Sequence, residues 1–251
     1  MQLDQVKKIG VLGGGVMGGG IGQVLAIAGY QVVIRDLSQE ILDETRTTIV
    51  DTRFGVKKAV ELGKLPSSQL EAVISSLFFT TKAEDLGDCD LIIEAVPENL
   101  ELKQKVFKEI DGIVKPEAIF TSNTSGFVIA EIARDVSPER KKLFAGMHFA
   151  SPVPAMKMCE VIYTPETTPE TSETVKGVAE KAGKVVSMVK DMPGTYGFIL
   201  NRVFAAARRE ADKIVADGIA TREDIDKAMM TGRNWPVGFY NSRGTRTGWL
   251  D

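Results

Sequence analysis

The sequence is poor in residues that bind metals or form covalent cross-links. Its 251 residues include one histidine, His148, and two cysteines, Cys89 and Cys159. The cysteines lie far apart and form no CxxC pair, so they indicate no disulfide framework. With a single histidine beside them, a zinc site built from histidine and cysteine is not expected either. We therefore expect no metal and a reducing, cytoplasmic setting.

The chain also lacks long apolar runs and a strong charge of either sign. No apolar stretch is long enough to span a bilayer, and Lys7 and Lys8 precede only a short apolar stretch that runs into glycines, unlike a secretory signal. The formal net charge of −3 gives no reason to expect nucleic acid or an anionic membrane as a partner. The composition, with 43% hydrophobic and 26% charged residues, is ordinary for a soluble globular protein.

Short apolar segments alternate with helical patterns over most of the chain. This alternation predicts an α/β fold, a Rossmann-type doubly wound sheet. Helices are predicted over 18–28, 39–61 and 100–114, and another begins near Thr168, which can cap a helix with Pro169 at its first position. The predicted strands are 9–12, 31–34, 91–95, 118–121, 143–149, 158–163 and 185–189.

The character of the sequence changes after Pro193. Residues 196–215 form one long helical pattern, and Thr221 to Asp224 resembles a capping box that begins another helix. No further strands are predicted. We therefore expect a Rossmann domain over residues 1–190 and a smaller all-helical domain over 191–251, whose last part, from Trp235, shows little periodicity.

A glycine-rich motif joins the first predicted strand to the first predicted helix. Gly13, Gly15 and Gly18 form GxGxxG, with Val16 and Met17 opening the helix. Gly13 allows a tight turn, Gly15 lets a pyrophosphate approach the backbone, and Gly18 allows close packing of helix on strand. The unpaired amides at the helix start favour a bound anion. The pattern predicts a dinucleotide site; the alternative is a glycine-rich turn without a ligand.

An acidic residue ends the second predicted strand. Asp36 lies about twenty residues after the glycine motif, where a carboxylate can accept hydrogen bonds from the adenosine ribose. The same charge would repel a 2′-phosphate, so the sequence favours NAD over NADP. Arg35 acts against that preference, because a neighbouring cation weakens the repulsion.

The single histidine and one glutamate lie in two predicted buried strands. His148 falls within 143–149 and Glu160 within 158–163, and a buried carboxylate is costly unless a partner satisfies it. The proline-rich link 151–154 is short enough to return Glu160 towards His148. Such a pair could act as a general base on a hydroxyl. Separately, the histidine could be structural and the glutamate could face solvent at a sheet edge.

Several longer motifs carry more specific information than the glycine turn. They are Ser-Asn-Thr-Ser at 122–125, His-Phe at 148–149, Pro-Val-Pro-Ala-Met-Lys at 152–157, Glu-Val-Ile at 160–162, Asp-Met-Pro-Gly at 191–194 and Gly-Phe-Ile-Leu-Asn-Arg at 197–202. Together they resemble the 3-hydroxyacyl-CoA dehydrogenases, over about residues 8–238. The resemblance implies oxidation and reduction of 3-hydroxyacyl-CoA and 3-ketoacyl-CoA with NAD(H), in fatty acid β-oxidation.

The resemblance also implies roles for single residues. His148 would be the catalytic base and Glu160 its orienting partner, while Ser125 would bind the substrate's 3-oxygen and Asn201 would help to position it. The implied cofactor contacts are Glu98, Lys103, Ser125 and Ser151, the last replacing an asparagine of the family. Lys103 could instead be an ordinary solvated lysine. The candidates for contacts with CoA are Thr52, Lys57 and Lys58.

Besides Ser151, the chain departs from the family pattern at two further places. Thr195 and Tyr196 form an insertion before Asn201, and the helical domain is expected to be truncated, so the homodimer that the resemblance implies is less certain than cofactor binding. We hypothesise that the tail is translated in a shifted frame. The alternatives are another Rossmann-plus-helical dehydrogenase of the 3-hydroxyisobutyrate or 6-phosphogluconate type, which uses a catalytic lysine, and a non-catalytic NAD-binding or structural relative.

Overall fold

A computed structural model describes residues 1–241 of the chain. The predicted α/β fold is confirmed, with an eight-stranded sheet. The strands are β1 (Lys8–Leu12), β2 (Gln31–Arg35), β3 (Leu77–Thr80), β4 (Leu91–Glu94), β5 (Ile119–Ser122), β6 (Phe144–Phe149), β7 (Met158–Tyr163) and β8 (Val185–Lys190). The helices are α1 (Val16–Ile27), α2 (Gln39–Asp51), α3 (Val56–Glu61), α4 (Leu70–Ser75), α5 (Leu100–Asp111), α6 (Ile129–Ile132), α7 (Pro138–Lys142), α8 (Pro169–Lys181), α9 (Ile199–Ala216) and α10 (Arg222–Gly232).

The strand order is β3-β2-β1-β4-β5-β6-β7-β8, and all pairs from β3 to β6 are parallel. The order reverses direction at β1, between β2 and β4, which is where doubly wound folds bind ligands. Strand β7 runs antiparallel to β6, and β8 runs parallel to β7. The antiparallel step is possible because the link after β6 is a short turn rather than a helical crossover.

Burial explains why the strands are apolar. Every residue of β4, β5 and β6 is buried, because helices cover both faces of the sheet. On one side Phe107 of α5 packs edge-on against Phe144 of β6, with ring centroids 4.6 Å apart, and lies 5.6 Å from Phe120 of β5. The site described below therefore stands on a rigid support.

The sequence prediction is wrong or incomplete at several short elements, and it contains none of the helices α4, α6 and α7. The strand β3 was not predicted although its sequence, Leu-Phe-Phe-Thr, is mostly apolar. The run has only four residues and begins one residue after the end of α4, so no period separates it from the helix before it. The single helix over 39–61 is two helices, α2 and α3. The break falls at Gly55, whose amide donates to the Thr52 carbonyl at 2.8 Å; a Cβ there would lie 2.8 Å from the Val50 carbonyl oxygen.

The chain forms two compact units, the first from Met1 to Tyr196 and the second beginning at Gly197. The second unit contains α9 and α10, and Thr221 caps α10 by accepting a hydrogen bond from the Asp224 amide at 3.1 Å, as predicted. Within this unit Trp235 packs edge-on against Phe239, with ring centroids 5.1 Å apart. The rest of the tail to which the shifted-frame hypothesis applies, residues 242–251, lies outside the described residues.

Residues 1–241 contain neither a membrane-spanning helix nor a cluster of metal ligands. No helix among them is both long and apolar enough to cross a membrane. The same residues contain no group of three or more histidine, cysteine, aspartate or glutamate side chains arranged to hold a metal ion.

Candidate active site

The glycine motif forms the turn between β1 and α1, and its geometry fits a dinucleotide. Gly13 has φ of +99°, and Gly15 is the N-cap of α1. A Cβ on Gly18 would lie 1.8 Å from the Gly13 carbonyl oxygen, so close packing requires glycine there. At Gly15, in contrast, a Cβ would meet no atom within 4 Å. The space kept open beside the helix start is the cradle that a pyrophosphate needs.

Asp36 lies at the carboxyl end of β2 and closes one side of this turn. Its Oδ2 accepts a hydrogen bond from the Gly14 amide at 2.7 Å, and its Oδ1 accepts one from the Leu37 amide at 2.7 Å. Neighbouring strand residues point to opposite faces of a sheet, and the Arg35 guanidinium lies 3.7 Å from Glu109 of α5. The Arg35 guanidinium, which the sequence set against the preference for NAD, therefore pairs with the carboxylate of Glu109.

A buried ion-pair network lies beyond β4. The side chain of Lys103 is 1% exposed, so the alternative of an ordinary solvated lysine is wrong. Its Nζ lies 2.6 Å from Oε1 of Glu94 and 3.2 Å from Oε2 of Glu98. Burial raises the pKa of Glu94, and the Lys103 ammonium opposes that shift. One lysine thus bridges a carboxylate in the sheet and one in the loop that follows.

Glu98 binds the loop that follows β5 through hydrogen bonds. Its Oε1 accepts hydrogen bonds from the Thr124 hydroxyl at 2.6 Å, the Ser125 amide at 2.8 Å and the Tyr196 hydroxyl at 3.2 Å. Burial works to raise the pKa of Glu98, but the hydrogen bond from Thr124 and the charge of Lys103 hold that pKa below its ordinary value. Two predicted cofactor contacts, Glu98 and Ser125, are therefore joined directly.

His148 and Glu160 face each other as a register pair of β6 and β7. The Nδ1 of His148 lies 2.7 Å from Oε2 of Glu160, and the two side chains are 8% and 2% exposed. The predicted return of the chain is confirmed, and the glutamate does not face solvent. Asn123, after β5, accepts a hydrogen bond from the Phe149 amide at 2.8 Å, which ties the loop of Ser125 to the strand of His148.

The other predicted residues lie on other elements. Ser151 is exposed at the start of the link between β6 and β7, and Asn201 lies in the first turn of α9, in the second unit. Thr52 ends α2. Lys57 and Lys58 lie on α3, about half exposed, and each ammonium pairs with a neighbouring carboxylate at 2.7 Å.

The sequence analysis missed part of this site. Glu94 could have been found, because it ends an apolar predicted strand just as Glu160 interrupts one, and both carboxylates need a buried partner. Tyr196 belongs to the inserted pair of residues, and nothing in the sequence predicts that its hydroxyl binds Glu98. Thr124 and Asn123 carry no local signal that separates them from ordinary loop residues.

Comparison with protein families agrees with this geometry. The model described as "3-hydroxyacyl-CoA dehydrogenase, NAD binding domain" matches residues 8–192, and the C-terminal domain model of the same family matches residues 197–242. The chain belongs to the 3-hydroxyacyl-CoA dehydrogenase family. The predicted family, the enzyme class of NAD-dependent dehydrogenase and the NAD cofactor are thereby confirmed.

Individual members of the 3-hydroxyacyl-CoA dehydrogenase family are similar over most of their length. A probable 3-hydroxybutyryl-CoA dehydrogenase of Deinococcus radiodurans is 42% identical over 231 residues, which cover 92% of this chain and 80% of that protein. The human mitochondrial hydroxyacyl-coenzyme A dehydrogenase is 38% identical, over 93% of this chain and 74% of that protein. The solved structure of (S)-3-hydroxybutyryl-CoA dehydrogenase from Ralstonia eutropha superposes with a TM-score of 0.86 at 33% identity, covering 93% of this chain and 80% of that one.

Proposed function

We propose that this dehydrogenase interconverts 3-hydroxyacyl-CoA and 3-ketoacyl-CoA, with His148 as general base and acid. The observation that carries the proposal is the buried contact of 2.7 Å between Nδ1 of His148 and Oε2 of Glu160. It lies in the part of the chain that matches the NAD-binding model. The names of the relatives, which act on 3-hydroxybutyryl-CoA and hydroxyacyl-coenzyme A, support the substrate class.

The proposed cofactor site begins at the glycine turn. The amides at the start of α1 bind the pyrophosphate and Asp36 binds the adenosine ribose. When bound, NAD supplies the redox chemistry, exchange of a hydride with C3 of the substrate. At the other end of the site, the Glu98–Lys103 pair orients the loop that carries Ser125. The residues proposed to contact the cofactor are Gly13, Gly15, Val16, Met17, Gly18, Asp36, Glu98, Lys103, Ser125 and Ser151.

The proton moves at His148. Glu160 accepts the hydrogen bond of Nδ1, which sets the tautomer that leaves the lone pair on Nε2. In the direction of oxidation Nε2 takes the proton of the 3-hydroxyl, and the Glu160 carboxylate stabilises the imidazolium that forms. In the direction of reduction the same nitrogen returns the proton. Burial excludes water from the pair and strengthens their interaction.

The remaining roles rest on the family resemblance. Ser125 and Asn201 would stabilise charge on the substrate's 3-oxygen. Thr52, Lys57 and Lys58 would contact CoA; the lysine ion pairs are exposed and therefore weak, so a phosphate can displace them.

The proposal also covers the domain boundaries, the oligomeric state and the cellular location. Residues 1–190 form the NAD-binding domain and 191–251 the helical domain, supported by the change of family model between 192 and 197. We propose a cytoplasmic homodimer on the family resemblance, and sedimentation velocity tests the dimer.

The test is the His148→Gln variant, assayed with acetoacetyl-CoA and NADH by the absorbance of reduced nicotinamide. Loss of the base should lower kcat by about 10³-fold, while the Kd for NADH, measured by fluorescence, stays unchanged. Glu160→Gln should lower kcat as well, since the carboxylate that stabilises the imidazolium is lost. The control is Glu166→Gln, an exposed glutamate beyond the same strand. Turnover of His148→Gln near that of the wild type would refute the role of His148.

A further inference from the structure

A threonine outside the glycine motif, Thr45, hydrogen-bonds to the backbone of the motif at Gly14. Thr45 lies on α2 and is 4% exposed. Its Oγ1 donates a hydrogen bond to the Gly14 carbonyl, in the turn between β1 and α1, and also lies 2.6 Å from the Ile41 carbonyl oxygen of its own helix. The side chain of one helix therefore reaches the backbone of the turn that precedes another.

The hydroxyl has a single proton, and the two carbonyls differ in their need for it. The Ile41 carbonyl already accepts the helical hydrogen bond from the amide four residues on. Gly14 lies outside any helix or strand, so its buried carbonyl depends on a side chain for a donor. The proton of Thr45 therefore matters most at Gly14.

The peptide groups on both sides of Gly14 are held in this way. The Gly14 amide donates to Oδ2 of Asp36 at 2.7 Å, and the Gly14 carbonyl accepts from Thr45. One partner comes from the end of β2 and the other from α2. Gly14 is the middle of three consecutive glycines, a sequence with large conformational freedom unless its backbone is tied down.

The other branch of Thr45 fits the face of α1. A Cβ on Gly19 would lie 3.0 Å from Cγ2 of Thr45, and a Cβ on Gly14 would lie 3.0 Å from its Oγ1. The glycines thus leave room for the threonine, with its hydroxyl on the turn and its methyl group on the helix.

We propose that Thr45 is a positioning residue of the NAD site. It acts through Gly14: by holding that peptide it orders the turn before the cofactor arrives, so binding does not have to order three glycines. The inference rests on the proposed placement of the pyrophosphate at this turn. It adds to that placement a contact from α2, which no part of the glycine motif predicts.

The experiment separates the two branches of the side chain. Thr45→Val keeps the methyl group and removes the hydroxyl, while Thr45→Ser keeps the hydroxyl and removes the methyl group. The matched control is Thr47→Val: Thr47 is exposed on the same helix, and its hydroxyl donates to the Asp43 carbonyl at 3.0 Å. The readouts are the Kd for NADH by fluorescence titration, the KM for acetoacetyl-CoA, and hydrogen exchange of the turn amides in the cofactor-free protein.

We expect Thr45→Val to raise the Kd for NADH about ten-fold and to speed exchange at the amides of the turn. The KM for acetoacetyl-CoA, and kcat at saturating NADH, should stay within about two-fold, because the residue touches neither substrate nor the reacting atoms. Thr45→Ser and Thr47→Val should bind NADH like the wild type, even where Thr45→Ser loses stability.

Two results would overturn the inference: an unchanged Kd in folded Thr45→Val, or weakened binding in Thr45→Ser with normal binding in Thr45→Val. If Thr45→Val does not fold, the Kd of Thr45→Ser for NADH decides. A raised Kd in Thr45→Ser contradicts the role of the hydroxyl, and a Kd equal to that of the wild type supports it. Failure of the wild type itself to bind NADH would refute the cofactor site instead.

Discussion

Lys103 is the side chain that pairs with two carboxylates beside β4. Its ammonium lies between Glu94, which is fully buried, and Glu98, whose side chain is 32% exposed. Glu94 also accepts a hydrogen bond from the Ser122 hydroxyl at 2.6 Å and one from the Val96 amide at 2.8 Å. Removing one partner of a buried ion pair destabilises a protein far more than replacing both partners with apolar residues, because the remaining charge stays desolvated.

We therefore predict that Lys103→Met lowers the free energy of unfolding by about 3 kcal/mol. Urea unfolding at neutral pH measures it. The control is Lys105→Met, an exposed lysine two positions along the same helix, which should change the stability by less than about 0.5 kcal/mol. Adding Glu94→Gln to Lys103→Met should recover part of the loss; no recovery would show that the charge on Glu94 is not the cause.

The turn between β1 and α1 contains two glycines, Gly15 and Gly18, in very different surroundings. Gly18 is required by the packing of the protein itself, since a Cβ would run into the Gly13 carbonyl. Gly15 is not: its φ of −63° and ψ of −172° suit any residue, and the space beside it is open. Gly15 is also the N-cap of α1, where glycine is favoured, and the open space lets a ligand approach the backbone there.

These two positions should therefore respond differently to alanine. Gly15→Ala should leave the stability within about 0.5 kcal/mol of the wild type but raise the Kd for NADH at least about ten-fold, because the methyl group occupies the space for the pyrophosphate. Gly18→Ala should lower the free energy of unfolding by about 3 kcal/mol. Urea unfolding without cofactor and NADH titration measure both; equal effects on stability would contradict the distinction.

For the molecule as a whole, two aspartates hold segments that are distant in the sequence. Oδ2 of Asp90 accepts hydrogen bonds from the amides of Lys7 and Lys8 at 2.7 and 2.8 Å, and Oδ1 pairs with Lys115. Asp111 accepts from Arg140 at 2.8 Å. Burial works to raise the pKa of each aspartate, but hydrogen bonds from Lys115 and Arg140, respectively, hold both pKa values below the ordinary range.

A lowered pKa in the folded state means that the folded protein binds protons less readily than the unfolded chain. The stabilisation is complete above the unfolded pKa, about 3.9 for aspartate, and is lost as the pH falls through the lower folded value. Asp90→Asn should lower the free energy of unfolding by about 2 kcal/mol at neutral pH, and the difference should shrink below about pH 4. Asp88→Asn, an exposed neighbour, is the control; a pH-independent difference for Asp90→Asn would contradict the account.

Much of the fold could be predicted from local patterns. Seven of the eight strands follow from short apolar runs, and the N-caps Thr168 and Thr221 follow from side chains that satisfy helix amides close in sequence. The edge strand β3 was not predicted because an apolar run of four residues directly after a helix has no period that separates it from that helix. The break at Gly55 was not predicted because a turn of a few residues does not disturb the helical period on either side.

Local sequence patterns predicted most of the elements, the glycine turn and the pairing of His148 with Glu160, because a period of two or 3.6 residues, a cap or a short link acts over a few residues. The tertiary structure alone decided that Lys103 is buried between two carboxylates and that Thr45 reaches Gly14. Those contacts join side chains or backbone on separate elements, and their distances depend on how helices pack on the sheet. No local period encodes such packing, so the same residues look like a solvated lysine and an ordinary helical threonine until the chain is folded.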